Sequence, residues 1–215
     1  MKNSITAIIS LIVVNAYAQE RKFSIGFTGS YDIYQYSSSF SVNDDENISV
    51  IPNYTAGLKG QWDAGKRIAL YSGVLYATNG YQYTYHWISS QPNDPAIPSK
   101  RHLKTCGITV PLALNYNITS GEKLMLYASA AFSTHFLISK SEHYTMGNGS
   151  KKEISTGDVN DVLFTGKAGI GIRYNIKNMF LSLEPYFGYG LNPIDSRVNT
   201  PLIYGLGINL MYYIK

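Results

Sequence analysis

Serine, histidine and the carboxylates are the side chains through which this 215-residue chain could do chemistry, and its four histidines are the scarcest of them. A hydrolase or acyltransferase built on a nucleophilic serine needs a histidine beside it and a carboxylate behind the histidine. Ser133 and His135 share one face of an extended segment, but no carboxylate falls at their height. His86, His102 and His143 sit in stretches that read as strand ends or loops, and none stands at a metal-chelating distance from another ligand. Cys106 is the only cysteine, which excludes an internal disulfide and a thiol pair for zinc or redox work. The sequence therefore predicts no catalytic residue, no metal ligand and no cofactor. An enzyme that modifies membrane lipids by acyl transfer or hydrolysis is the alternative these residues leave open.

Charged residues are few, at 15% of the chain, against about 25% in an ordinary soluble domain. Lys59, Lys167, Arg173 and Glu184 all fall on the small and polar side of alternating segments. As one interior network they place Glu184 opposite Lys167 or Arg173, with Lys59 as a further cation and Asp32 nearer the outer rim. An ion buried without a partner is costly, so such charges should be paired. The formal net charge of +4 is not clustered, and nothing marks a nucleic-acid surface.

The elements that must position these residues are announced by the stretch from Cys106 to Ile138. Cys106, Ile108, Val110, Leu112, Leu114, Tyr116 and Ile118 alternate with Gly107, Thr109, Pro111, Ala113, Asn115 and Asn117. After Thr119-Ser120-Gly121-Glu122 the alternation resumes, with Leu124, Leu126, Phe132, Phe136 and Ile138 opposite Tyr127, Ser129, Ser133 and His135. Period two means β-strand, because successive side chains leave opposite faces of the pleat, and the two runs form a hairpin. The second face carries almost no charge, which suits a cramped interior better than a wet surface. The bulky face then meets lipid, as in a transmembrane β-barrel. A soluble, lipocalin-like ligand-binding barrel would place the same bulky residues inside.

The rest of the chain repeats the theme. Strands are predicted near Lys22–Tyr36, Pro52–Trp62, Arg67–Tyr83, the two arms of the Cys106 hairpin, Val162–Tyr174, Leu181–Gly190 and Tyr204–Ile214. Between them, Ser37–Ser49, the Pro-bearing Tyr85–His102 segment, Ser139–Asn160 and Asn192–Thr200 read as long loops, while Asp63–Lys66, Thr119–Glu122 and Lys177-Asn178 read as tight turns. The fold class expected is thus an all-β, eight-stranded antiparallel up-and-down transmembrane β-barrel, with short periplasmic turns and long extracellular loops. Trp62, Tyr116, Tyr174 and Tyr212 each fall on the outward face near a short turn, where amphipathic rings form a membrane-interface girdle. A basic start at Met1-Lys2-Asn3, an apolar run from Ile5 to Val14 and the small-residue end at Ala16-Tyr17-Ala18 predict a signal peptide over residues 1–18, leaving the barrel domain at 19–215. Outer-membrane lipid is the partner this arrangement requires.

Two stretches carry a resemblance. Val74-Leu75-Tyr76-Ala77-Thr78-Asn79-Gly80 and, about thirty residues on, Ile108-Thr109-Val110-Pro111-Leu112-Ala113-Leu114-Asn115-Tyr116 are similar to the paired strand signatures of the PorT-like outer-membrane β-barrel family of Bacteroidetes. That family's signatures run roughly L-L-Y-S-x-K-G and I-P-L-L-x-x-Y; Ala77, Asn79 and Val110 depart from them. The resemblance implies a small outer-membrane barrel and identifies no catalytic residues. One member of that family is linked to type IX protein secretion, which implies a scaffold or accessory subunit of a larger outer-membrane complex for secretion or uptake. Outward-facing loops at Asp44-Asp45-Glu46, Tyr85–His102 and Lys151-Lys152-Glu153 are the expected recognition surfaces.

Overall fold

A computed structural model describes residues 23–36, 47–84, 98–119, 121–154, 159–196 and 198–214. The chain runs through β1 (Phe23–Gln35), β2 (Asn47–Val50), β3 (Pro52–Asp63), β4 (Ile68–Thr84), β5 (Pro98–Asn117), β6 (Leu124–Met146), β7 (Lys151–Ile154), β8 (Val162–Ile176), β9 (Met179–Gly190) and β10 (Leu202–Ile214). Two of these, β2 and β7, are short strands that lengthen connections by pairing with β4 and β6. The other eight form the wall, each antiparallel to the next in sequence. β10 returns to β1 in a register running from Phe23↔Ile214 to Gln35↔Leu202, which closes the sheet and removes its edges. Long and short connections alternate around the wall, with the short ones, β3 to β4, β5 to β6 and β8 to β9, on one end.

Alternation decides which side of each strand faces the lumen. On β1, Phe27 is 67% exposed while Ser24 is fully buried; on β5, Leu112 is 66% exposed between buried Pro111 and Ala113. Fully burying one such large apolar side chain is worth roughly 1.5–3 kcal/mol. A belt of exposed Leu, Ile, Phe and Tyr around the whole wall is therefore tenable only where hydrocarbon replaces water. The lipocalin-like alternative fails on this observation, because the bulky residues are outside and the polar ones are in. Tyr116, Tyr174 and Tyr212 lie outward and exposed near the short turns, Tyr116 accepting a hydrogen bond from Arg67 at 3.1 Å, and Trp62 is half-buried at the same end. A second ring, Tyr31, Tyr54, Tyr76, Tyr189 and Tyr204, marks the opposite interface.

The wall departs from the sequence reading mainly at the long-loop end. Pro98 to His102 belongs to β5, Ser139 to Met146 continues β6, Lys151-Lys152-Glu153 forms most of β7, and Asn47 to Ser49 lies in β2, all of them read as loop. Prolines and polar residues depress strand propensity there, but pairing with neighbouring strands supplies the backbone partners that propensity does not count. Between Cys106↔Ser139 and Gly107↔Leu137 the register shifts, leaving Ile138 as an extra residue in β6. This bulge inverts the parity of everything beyond it, so that even-numbered Glu142 turns inward. The signal peptide, His86 and the Asp44-Asp45-Glu46 loop lie outside the described residues.

Candidate functional site: a filled polar lumen

Inward residues at mid-barrel come from every wall strand and are mostly small or polar, which leaves room for a few long charged side chains. Asp32 on β1 sits at the centre of one group. Its carboxylate accepts from Ser30 and Thr55 at 3.0 Å each, from Lys167 at 3.3 Å and from the Tyr186 hydroxyl. Glu184 on β9 forms a second group, accepting from Tyr127 at 2.8 Å and Ser129 at 2.7 Å. Lys59 donates to Asn209 at 3.2 Å and lies 3.4 Å from the centre of the Tyr71 ring. Arg173 donates to Gln61 at 3.2 Å, with its guanidinium 4.3 Å from the Phe180 ring centre.

All four residues of the expected interior network therefore point inward, but not in the pairs expected. Lys167 pairs with Asp32, not with Glu184, and among the described residues no cation lies within ion-pair distance of Glu184. The reason is local. A Cβ on Gly171 would come within 2.2 Å of the Tyr127 ring, and one on Gly205 within 2.3 Å of the Tyr186 ring. Each glycine leaves a slot in which the tyrosine of the neighbouring strand lies flat, delivering its hydroxyl to a carboxylate. Neutral donors so placed can satisfy a buried carboxylate where a lysine head would first have to be stripped of water.

At the long-loop end the lumen is closed differently. Arg101 of β5 donates to Glu142 of β6 at 2.6 Å, to Asp195 of the β9–β10 connection at 2.6 Å, and to the Tyr81 hydroxyl, which itself donates to Asp195 at 3.0 Å. Arg101 is only 1% exposed. Around it pack Tyr34, Tyr36, Leu103, Leu163, Ile194 and Ile203, so that loop and strand residues together form an apolar cap. Asn160 and Ile194 tie two long connections through a backbone hydrogen bond of 2.9 Å. Sequence reasoning missed this cluster because Arg101 and Glu142 fell in presumed loops. Extending the odd-numbered inward parity of β5 back to Pro98 would have found Arg101.

Below the cap an internal cavity of about 90 Å³ is lined by Lys59, Tyr71, Ser129, His135, Lys167 and Glu184 among others. Ser133 and His135 both line it, the one serine–histidine pair that the sequence placed on a shared face. His135, however, is hydrogen-bonded through Nδ1 to Thr109 at 2.7 Å and through Nε2 to Thr165 at 3.0 Å. Both imidazole nitrogens are thus engaged, leaving none to take a proton from Ser133. His102 and His143 meet each other instead, Nδ1 to Nε2 at 3.2 Å, on the outer face of the long strands. Among the described residues no three His, Cys, Asp or Glu side chains gather as metal ligands.

Comparison with known proteins agrees with this architecture. The outer membrane protein beta-barrel domain family matches residues 17–196. The crystal structure of OprG from Pseudomonas aeruginosa is similar over 90% of this chain and 95% of its own, at 9% identity and a TM-score of 0.50. Neisserial surface protein A aligns over 90% and 99% at 12% identity and 0.48, and the outer membrane protease OmpT from Escherichia coli over 90% and 96% at 9% and 0.39. At 9% identity the likeness to OprG is one of fold. No curated protein matches the chain.

Proposed function

The chain belongs to the outer membrane protein beta-barrel domain family and resides in the outer membrane, and on that premise we propose that it is a membrane-embedded scaffold or accessory subunit of a larger complex for protein secretion or uptake, not a pore or an enzyme. One observation carries the reading. A strand crosses the hydrocarbon in about 9–11 residues, yet β5 has 20 and β6 has 23. Together with β4 and β7 they build a sheet that stands beyond the apolar belt, tied to the barrel through Arg101, Glu142 and Asp195. A projecting, hydrogen-bonded sheet over a filled lumen suits holding a partner better than passing a solute. The PorT-like signatures support the same reading: Val74–Gly80 and Ile108–Tyr116 lie on the neighbouring strands β4 and β5 and meet where Leu75 pairs with Thr109 and Tyr76 with Ile108. Non-catalytic duty is supported by the engagement of both nitrogens of His135.

Photo-crosslinking residues placed at Asn148 and Lys152, at the sheet's tip, test the proposal in native membranes. A discrete high-mass adduct of the chain with one larger outer-membrane protein is expected. A lone barrel from both positions, in cells that express the chain at its natural level, contradicts it.

A further inference from the structure

The outward face of the projecting sheet is chemically unlike the belt beneath it. Phe136, Ile138 and Ile108 are the last apolar side chains on β6 and β5 before the chain leaves hydrocarbon. Beyond Cys106, the outward positions of β5 are Lys104, His102 and Lys100, alternating with buried Leu103 and Arg101. The register sets His102 beside His143, Lys104 beside Ser141 and Lys100 beside Thr145, and across β6 it sets Lys151 beside Thr145 and Glu153 beside His143. Residues two apart on a strand stand about 7 Å apart and neighbouring strands about 4.8 Å. Lys100 and Lys104 therefore flank His102 on the same face of β5.

Three lysines face one carboxylate, Glu153, on this surface, so it is net positive with the histidines neutral. Among the described residues none of the three lysines pairs with a carboxylate, whereas nearby Lys140 is held by Asp161 at 2.6 Å. Elsewhere around the same rim, among the described residues, Ile33, Pro52, Tyr189 and Tyr204 are outward and uncharged, and the exposed carboxylate of Asp161 is taken up by Lys140. Among the described residues the unpaired positive charge thus gathers in one sector, above lipid-facing side chains. Ligands that present an anion at that depth, with hydrocarbon directly below it, are lipids.

We infer that the outward face of this sheet, centred on His102 and His143 and carrying Lys100, Lys104 and Lys151, binds the phosphate groups of an outer-leaflet glycolipid, whose acyl chains lie along Ile108, Phe136 and Ile138. The site goes beyond the scaffold reading and does not depend on it, since lipid binding is read from the purified protein alone.

Delipidated protein in mild detergent, with EDTA present to remove bridging cations, is titrated with diphosphorylated lipid A and bound lipid is read by native mass spectrometry. Saturable binding of the wild type is expected, at least tenfold weakened in K100Q/K104Q/K151Q and unchanged in K66Q/K123Q, whose lysines lie at the opposite end. Lipid A stripped of phosphate should bind the wild type as weakly as phosphorylated lipid A binds the triple variant, a comparison that holds even if the variant folds poorly. Equal binding of the dephosphorylated lipid, or full affinity in a folded triple variant, overturns the inference. Saturable binding of inorganic phosphate that displaces the lipid equally well would assign the surface to free anions instead.

Discussion

At mid-barrel, Asp32 and Glu184 are met chiefly by hydroxyl groups, whereas at the long-loop end Arg101 is met by two carboxylates and a tyrosine. The first arrangement is assembled from wall strands whose inward glycines admit flat tyrosine rings. The second joins β4, β5 and β6 to the β9–β10 connection. The contrast teaches where stability should be concentrated. Loss of a partner from a set of neutral donors leaves the others in place, but loss of the Arg101 guanidinium takes an ion pair from two buried carboxylates at once.

Arg101→Met should therefore have the largest effect, destabilising the barrel by about 3–5 kcal/mol, as read by urea unfolding in lipid vesicles. Lys167→Met breaks the one ion pair that Asp32 makes among the described residues but leaves three hydroxyl donors. Its cost should be smaller, roughly 1–3 kcal/mol, and an effect equal to that of Arg101→Met would erase the distinction between the two layers. Gly171→Ala should cost about 1–3 kcal/mol by forcing the Tyr127 ring out of its slot. In a Tyr127→Ala background the same change should cost much less, and additivity in this double-mutant cycle would count against the slot. The smallest effect concerns neither layer. Lys177 holds φ at 53° in the β8–β9 turn, so Lys177→Gly should stabilise by about 1 kcal/mol at most while leaving both layers untouched.

The mid-barrel layer was largely legible in the sequence because alternation alone assigns Lys59, Lys167, Arg173 and Glu184 to one side of their strands. Their partners were not, since pairing depends on strand stagger and on which glycine faces which tyrosine across a ladder. Glu184 looked like the natural mate of a cation until Tyr127 and Ser129 occupied its oxygens. The upper layer was illegible for a different reason. Ile138 adds one residue to β6 and reverses its parity, so Glu142 could not be assigned a face from the pattern below it. Asp195 comes from a connection, where periodicity says nothing. Closure of the wall, by contrast, followed from the rhythm of long and short connections, which the pairing of β1 with β10 reproduces.

Reconstitution of the purified protein into planar lipid bilayers tests the filled lumen most directly. The cap around Arg101 and the mid-barrel network predict an electrically silent barrel across the physiological voltage range. Sustained, ohmic conductance from the wild type, scaling with salt concentration, would show a continuous water path through the wall's interior and contradict the account.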